Sequence, residues 1–148
     1  MVLWFETLDE LRRNDIMATS TLRDTKYETL TATELKELLN DLYPFENYLE
    51  WTVSDMLDAI ASKLEDEIIE KLIELVAPAV VPAASLGIAV GEVIMMLQDA
   101  MKWEDIHPYL SKMTDDSKRF KITTYYYEWL SGSGNHTGYY VEEEYAVI

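Results

Sequence analysis

Glu104 and His107 stand three residues apart, a spacing that brings a carboxylate and an imidazole to one helical face and is used in di-metal carboxylate bundles. Such a centre needs a second unit of the same kind and two further inward-facing glutamates. The one other histidine, His136, falls in a Ser/Gly-rich stretch, and Pro108 follows His107 at a place where helices commonly end. The expectation is an ordinary helix-end histidine and no metal site. The runs Glu65-Asp66-Glu67 and Glu142-Glu143-Glu144 lack the alternating ligands and the glycine of an EF-hand, and read as solvated faces.

Nucleophilic chemistry finds no better footing. Ser131 and Ser133 lie near His136, but the residues around them do not form the Gly-x-Ser-x-Gly elbow, and a hairpin loop is a poor platform for a triad. Gly87-Ile88-Ala89-Val90-Gly91 has the spacing of neither a dinucleotide fingerprint nor a phosphate-binding loop. No catalytic residue and no cofactor is assigned, and the chain is expected not to be an enzyme.

The elements that would have to position any such group are those of a packed protein. The chain has 148 residues, 49% of them apolar and 11% aromatic, enough for one domain with a sizeable core. Cysteine is absent, which removes disulfide and thiolate chemistry. The opening Met1-Val2-Leu3-Trp4-Phe5-Glu6 has no basic region and its apolar run ends at Glu6, unlike a secretory signal. Without one, the sequon Asn135-His136-Thr137 reads as chance. With 28 acids against 12 bases the formal charge is −16, which repels phosphates and anionic lipids and suits a basic protein partner. Direct nucleic-acid binding is therefore not expected.

Trp4, Phe5, Leu8 and Leu11 recur at helical spacing. The stretch from Asn14 to Thr29 is polar and aperiodic, and reads as a loop with room for a short extended piece. Thr31-Ala32-Thr33-Glu34 is a capping box, with Leu30 and Leu35 at the positions of a hydrophobic staple. Leu35, Leu38, Leu39 and Leu42 form one stripe, and Pro44 ends the helix. Thr52 or Ser54 can cap a long helix to about Val76, with Val53, Leu57, Ile60, Leu64, Ile68, Leu72 and Leu75 on its apolar side. At a rise of 1.5 Å per residue it spans about 35 Å and forms the spine of the fold. Asp58, Glu65, Asp66 and Glu70 mark a candidate acidic face on its other side.

Pro78 and Pro82 interrupt the pattern, and Pro82 can open the next helix, through Leu86, Val90, Val93, Ile94, Leu97 and Met101. Ala83, Gly87 and Gly91 repeat every four residues and predict a close helix crossing. Leu75 to Gly91 is an uncharged run of 17 residues with acidic flanks and no basic anchor, which favours a buried helical hairpin over a membrane span. Trp103 to Met113, broken at Pro108, is a short final helical piece.

From Lys118 the period changes to two. Phe120, Ile122 and Tyr126 fall on one side of a strand and Tyr125, Tyr127 and Trp129 on the other. After a turn-rich loop from Ser131 to Gly138, a second strand carries Tyr139, Val141 and Tyr145 on one face and Tyr140 on the other. Large residues on both faces require a cover on each: the helical body on one, and a strand from the region of residues 14–29 or another chain on the other. Tyr125, Tyr127, Trp129, Tyr139, Tyr140 and Tyr145 are the candidate interaction residues.

These readings give one α+β, mainly helical domain over residues 1–148. Four to five helices surround a long central helix over about 1–113, and a C-terminal antiparallel β-hairpin follows over about 118–148. The functional expectation is a non-enzymatic protein–protein interaction or assembly subunit, such as a viral or phage structural component. It would act with a protein partner as a homo-oligomer or larger assembly, in the cytoplasm or the virion. One alternative is an acidic inhibitor that imitates nucleic acid and blocks a basic cleft. Another is a membrane-active or toxin-associated module using the helical hairpin 68–101.

Overall fold

The computed structural model describes residues 19–80, 88–130 and 137–148. The expected helix around Trp4 to Leu11, the loop residues Ser131, Ser133 and His136, and two members of the small-residue repeat, Ala83 and Gly87, lie outside them.

The main departure from the sequence reading comes first along the chain. Thr19–Thr31 is a 13-residue strand, β1, in place of the expected loop. It is rich in threonine, a strand-favouring β-branched residue, yet mostly exposed, so no apolar alternation marks it. β2 (Arg119–Leu130) pairs with it along its whole length, and β3 (Thr137–Val147) pairs with β2 on the far side. The result is a three-stranded antiparallel sheet in the order β1-β2-β3. The expected C-terminal hairpin is therefore only part of a sheet, and the body is five described helices set against that sheet. β1 and β2 are joined by all the helices, so Leu30 pairs with Phe120 across the chain's length. Such long-range pairing leaves no local sequence signal.

Thr31 ends β1 and also caps the next helix, α1 (Ala32–Leu42). Its hydroxyl accepts from the Glu34 N–H at 3.1 Å, and the Glu34 carboxylate accepts from the Thr31 N–H at 2.8 Å, as the capping box predicts. Two residues after the cap, Thr33 donates through its N–H and hydroxyl to Asp116, at 2.8 and 2.7 Å. This clamps the start of α1 to the segment entering β2, and these bonds hold the Asp116 carboxyl below its usual range.

Thr52 caps α2 (Val53–Ile60), accepting from the Asp55 N–H at 3.0 Å. The single long spine does not form. Ala61–Leu64 tightens into a 3-10 turn, and α3 (Glu65–Val80) then runs on through Pro78. Ile60 and Ile68 stay buried on either side of the turn, so the apolar stripe survives the break and hides it from the sequence. α4 covers Val90–Ala100, and α5 covers Trp103–Leu110 with Pro108 inside it. Pro108 sacrifices one backbone bond near the helix end, which buried Ile106 and Leu110 offset by their packing.

The helices gather on one face of the sheet, α1 and α3 against β1, and α4 and α5 against β3. Phe120, Ile122 and Tyr126 project from β2 into a core shared with Leu35, Leu39, Leu72 and Leu97. Each fully buried side chain of this size contributes about 1.5–3 kcal/mol, and the layer is held chiefly by this burial. Gly91 is exposed, and among the described residues a Cβ added to it would meet nothing within 4 Å. No helix among the described residues is long and apolar enough to cross a membrane.

Candidate functional site

Alternation along three paired strands sorts the aromatic residues into two sets. On the inner face β2 places Phe120, Ile122, Thr124 and Tyr126, and β3 adds Val141, Glu143 and Tyr145 by register. The outer face takes Tyr27 from β1, Lys121, Tyr125, Tyr127 and Trp129 from β2, and Tyr140, Glu142 and Glu144 from β3. The six candidate interaction residues are thus divided. Tyr125, Tyr127, Trp129 and Tyr140 share the outer face, while Tyr139 and Tyr145 point with the core set toward the helices.

The outer residues form a continuous row of contacts. Lys121 Nζ sits over the Tyr27 ring, 4.7 Å from its centroid. Next along the face, the Tyr125 hydroxyl donates to Glu144 Oε1 at 2.7 Å, a bond that raises the phenol above its usual range. The Tyr127 and Tyr140 rings stack at 5.0 Å, within 9° of parallel. Burial, followed by the Glu142 charge, raises the Tyr127 phenol as well. Trp129 ends the row opposite Gly138, where a Cβ would stand 3.8 Å from the indole. Tyr27, at 63% exposure, is the most open of these rings; those of β2 and Tyr140 are half-buried.

The expected cover from residues 14–29 takes another form: β1 joins the sheet edge to edge and widens the outer face instead of lying over it. Its own edge carries charge, and Arg23, at a register shift between Leu22 and Asp24, reaches Glu128 at 3.6 Å. Tyr27 has no periodic neighbours in sequence to mark it as part of this face; only the pairing of β1 places it there.

The inner face holds a feature that the sequence reading does not anticipate. Thr124, Tyr126 and Tyr145 each bury a hydroxyl that lacks a hydrogen-bond partner, and both carboxylate oxygens of Glu143 are buried in the same state. Burial pushes the Glu143 carboxyl up to about 7, and the neighbouring Thr124 hydroxyl, which stops short of hydrogen-bond geometry, offsets this only in part. The Tyr126 and Tyr145 phenols are pushed well above their usual range, first by burial and then by the Glu143 charge. Beside them opens a crevice of about 400 Å³, lined by Ala100, Asp105, Tyr109, Glu143, Glu144 and Tyr145. Glu143 is thus no member of a solvated acidic run. Strict alternation from Val141 to Tyr145 is the signal that turns it inward.

Of the acidic-face residues, Glu65, Asp66 and Glu70 share α3, and Asp58 lies on α2 before the 3-10 turn. His107 lies 3.5 Å from the Ser111 hydroxyl and packs on the Trp103 ring at 5.3 Å. Among the described residues no group of three or more His, Cys, Asp or Glu side chains is arranged to hold a metal ion. Comparison with protein-family models, with curated proteins and with solved structures finds no match to this chain.

Proposed function

We propose that this protein is a non-catalytic interaction subunit that docks a basic protein partner on the outer face of its sheet. The observation that carries the reading is the row Tyr27, Tyr125, Tyr127, Trp129 and Tyr140, displayed on the face opposite the described helices. Tyrosine and tryptophan bury large areas at low entropic cost and keep a polar tip, which makes them frequent anchors of interfaces.

Charge selects the partner. The chain carries −16, and Glu142 and Glu144 border the aromatic row, so lysine and arginine side chains would find both ring faces and carboxylates. Lys121 over Tyr27 is an internal example of the same contact. A second copy of the chain would bring a like charge to the face, which disfavours self-association through it.

The experiment is calorimetric titration of the full chain with three peptides of equal length: strand-forming and rich in lysine and arginine, neutral, and acidic. The basic peptide should bind best, and Tyr127→Lys with Trp129→Lys should weaken it by about thirtyfold or more, as for the loss of interface anchors. Equal binding of all three peptides, or a basic peptide indifferent to the double variant, would overturn the proposal. So would sedimentation of the wild type as a dimer that the double variant dissolves, since the occupant would then be a second copy.

A further inference from the structure

β3 carries three consecutive glutamates, and alternation sends the middle one, Glu143, toward the helices. Among the described residues it is the one carboxylate with both oxygens buried and no hydrogen-bond partner. The groups around it offer no positive charge. β2 contributes Thr124 and Tyr126, and β3 itself contributes Tyr145, all with unpartnered buried hydroxyls. On β1, Asp24 acts on Tyr126, and Lys26, in register with Thr124, is paired with Asp24 at 3.8 Å. α5 brings Asp105 and Tyr109 to the same crevice. α4 brings Ala100 and contains Glu92 and Asp99 but no lysine or arginine. Lys112, beyond α5, sits over the Tyr109 ring at 5.5 Å. An ionised Glu143 therefore loses hydration without gaining a counter-charge and with only the Thr124 hydroxyl favouring it, whereas a protonated one carries no charge into the buried site.

We propose that Glu143 is a proton-operated latch on β3: protonated, it seats the strand against the helical layer, and ionised, it drives the strand outward and loosens its pairing with β2. β3 is an edge strand held by one ladder, so it can move without breaking a second. Opening at this edge would admit water to the buried polar atoms of all four side chains together, which makes the response cooperative. Burial places the switch near neutral pH, since it pushes the carboxyl up to about 7. Glu142 and Glu144 on the same strand fall on the outer face by register, and Glu144 also borders the crevice, where it adds a further negative charge. A pH effect on docking follows only if the proposed function holds, whereas the latch itself does not depend on it.

The test uses the full chain without partner. Carbon-detected NMR of the Glu143 carboxyl should give a titration midpoint near 7 in place of the usual 4.5. Hydrogen-exchange protection factors of β3 amides, corrected for intrinsic rates, should fall by about thirtyfold between pH 5.5 and 8.5. That is the share of a roughly 300-fold linked change that lies in this window. Glu143→Gln should keep β3 protection constant within about threefold across the same range. A midpoint near 4.5, or β3 protection that follows pH equally in both proteins, overturns the proposal. Should the glutamine variant fail to fold, the wild-type carboxyl titration decides alone. Neither measurement involves a partner, so a failed docking face and a failed latch are told apart.

Discussion

Thr31 and Tyr126 show how a single side chain's worth depends on whether its polar atoms are paired. Thr31 stands at the junction of β1 and α1, where its hydroxyl and the Glu34 carboxylate each satisfy a backbone N–H. Thr31→Ala should therefore destabilise by about 1 kcal/mol in urea denaturation. Tyr126 is the opposite case, 1% exposed with a hydroxyl that no protein group satisfies. Tyr126→Phe keeps the ring and removes the orphan, so the same measurement should show no loss and a gain of up to about 1 kcal/mol. Glu143 sets the pH dependence. Its folded value of about 7 lies above 4.5, so the native state binds its proton more tightly than the unfolded chain. This contribution is fully present below 4.5, declines as pH rises, and is lost above 7. Its full size is about 3 kcal/mol, and Glu143→Gln should remove that slope from a stability–pH profile. A profile with equal slopes for both proteins between pH 4.5 and 7 would show that the carboxyl is hydrated.

Helix α4 carries one described member of the small-residue repeat. The repeat of Ala83, Gly87 and Gly91 predicts a backbone approaching closely, yet at Gly91, near the start of α4, no described residue comes near. A side chain there costs nothing in overlap, and replacing glycine restricts the unfolded chain. Gly91→Ala should raise the thermal midpoint, equivalent to about 0.5 kcal/mol, and Gly91→Leu should not lower stability by the several kcal/mol that overpacking would. A loss above about 2 kcal/mol in Gly91→Leu would reveal a neighbour at that face. The break between α2 and α3 is a second instance. The stripe from Leu57 to Leu72 fits either a continuous helix or two segments around a tight turn, and fit against the rest of the core selects the latter.

Across the whole molecule, the excess of acids acts on stability as a long-range term. Self-repulsion among 28 carboxylates and only 12 bases opposes the compact state, and salt screens it. Raising sodium chloride from 0.05 to 0.5 M should increase the calorimetric melting temperature by several degrees, about 1 kcal/mol. The same salt should weaken binding of a basic peptide, since opposite charges across that interface are screened too. These opposite trends come from one cause. A melting temperature insensitive to salt would show that the acids are spaced widely enough not to interact.

Local physics was legible from residues alone wherever the forces involved act over a few positions. The Thr31 box, the Leu35 to Leu39 stripe and the alternation of Phe120 through Trp129 all specify their elements, because caps and periodicity are properties of neighbouring residues. The partition of Tyr125, Tyr127 and Trp129 from Phe120 and Tyr126 followed for the same reason. What no window of sequence contains is pairing across the chain. β1 is a strand because β2 offers it a ladder some ninety residues later, and its own polar, threonine-rich sequence is stabilised only once that partner exists. Glu143 becomes a buried acid only when α4 and α5 close over the inner face, and Tyr27 joins the aromatic row only through its register with Thr123. The widened sheet, its polar interior and its aromatic exterior are products of long-range contact. Loop closure must precede those contacts, so the sequence encodes them jointly, in segments far apart: alternation within one strand assigns its faces, but not the strand or helix that will cover or extend them.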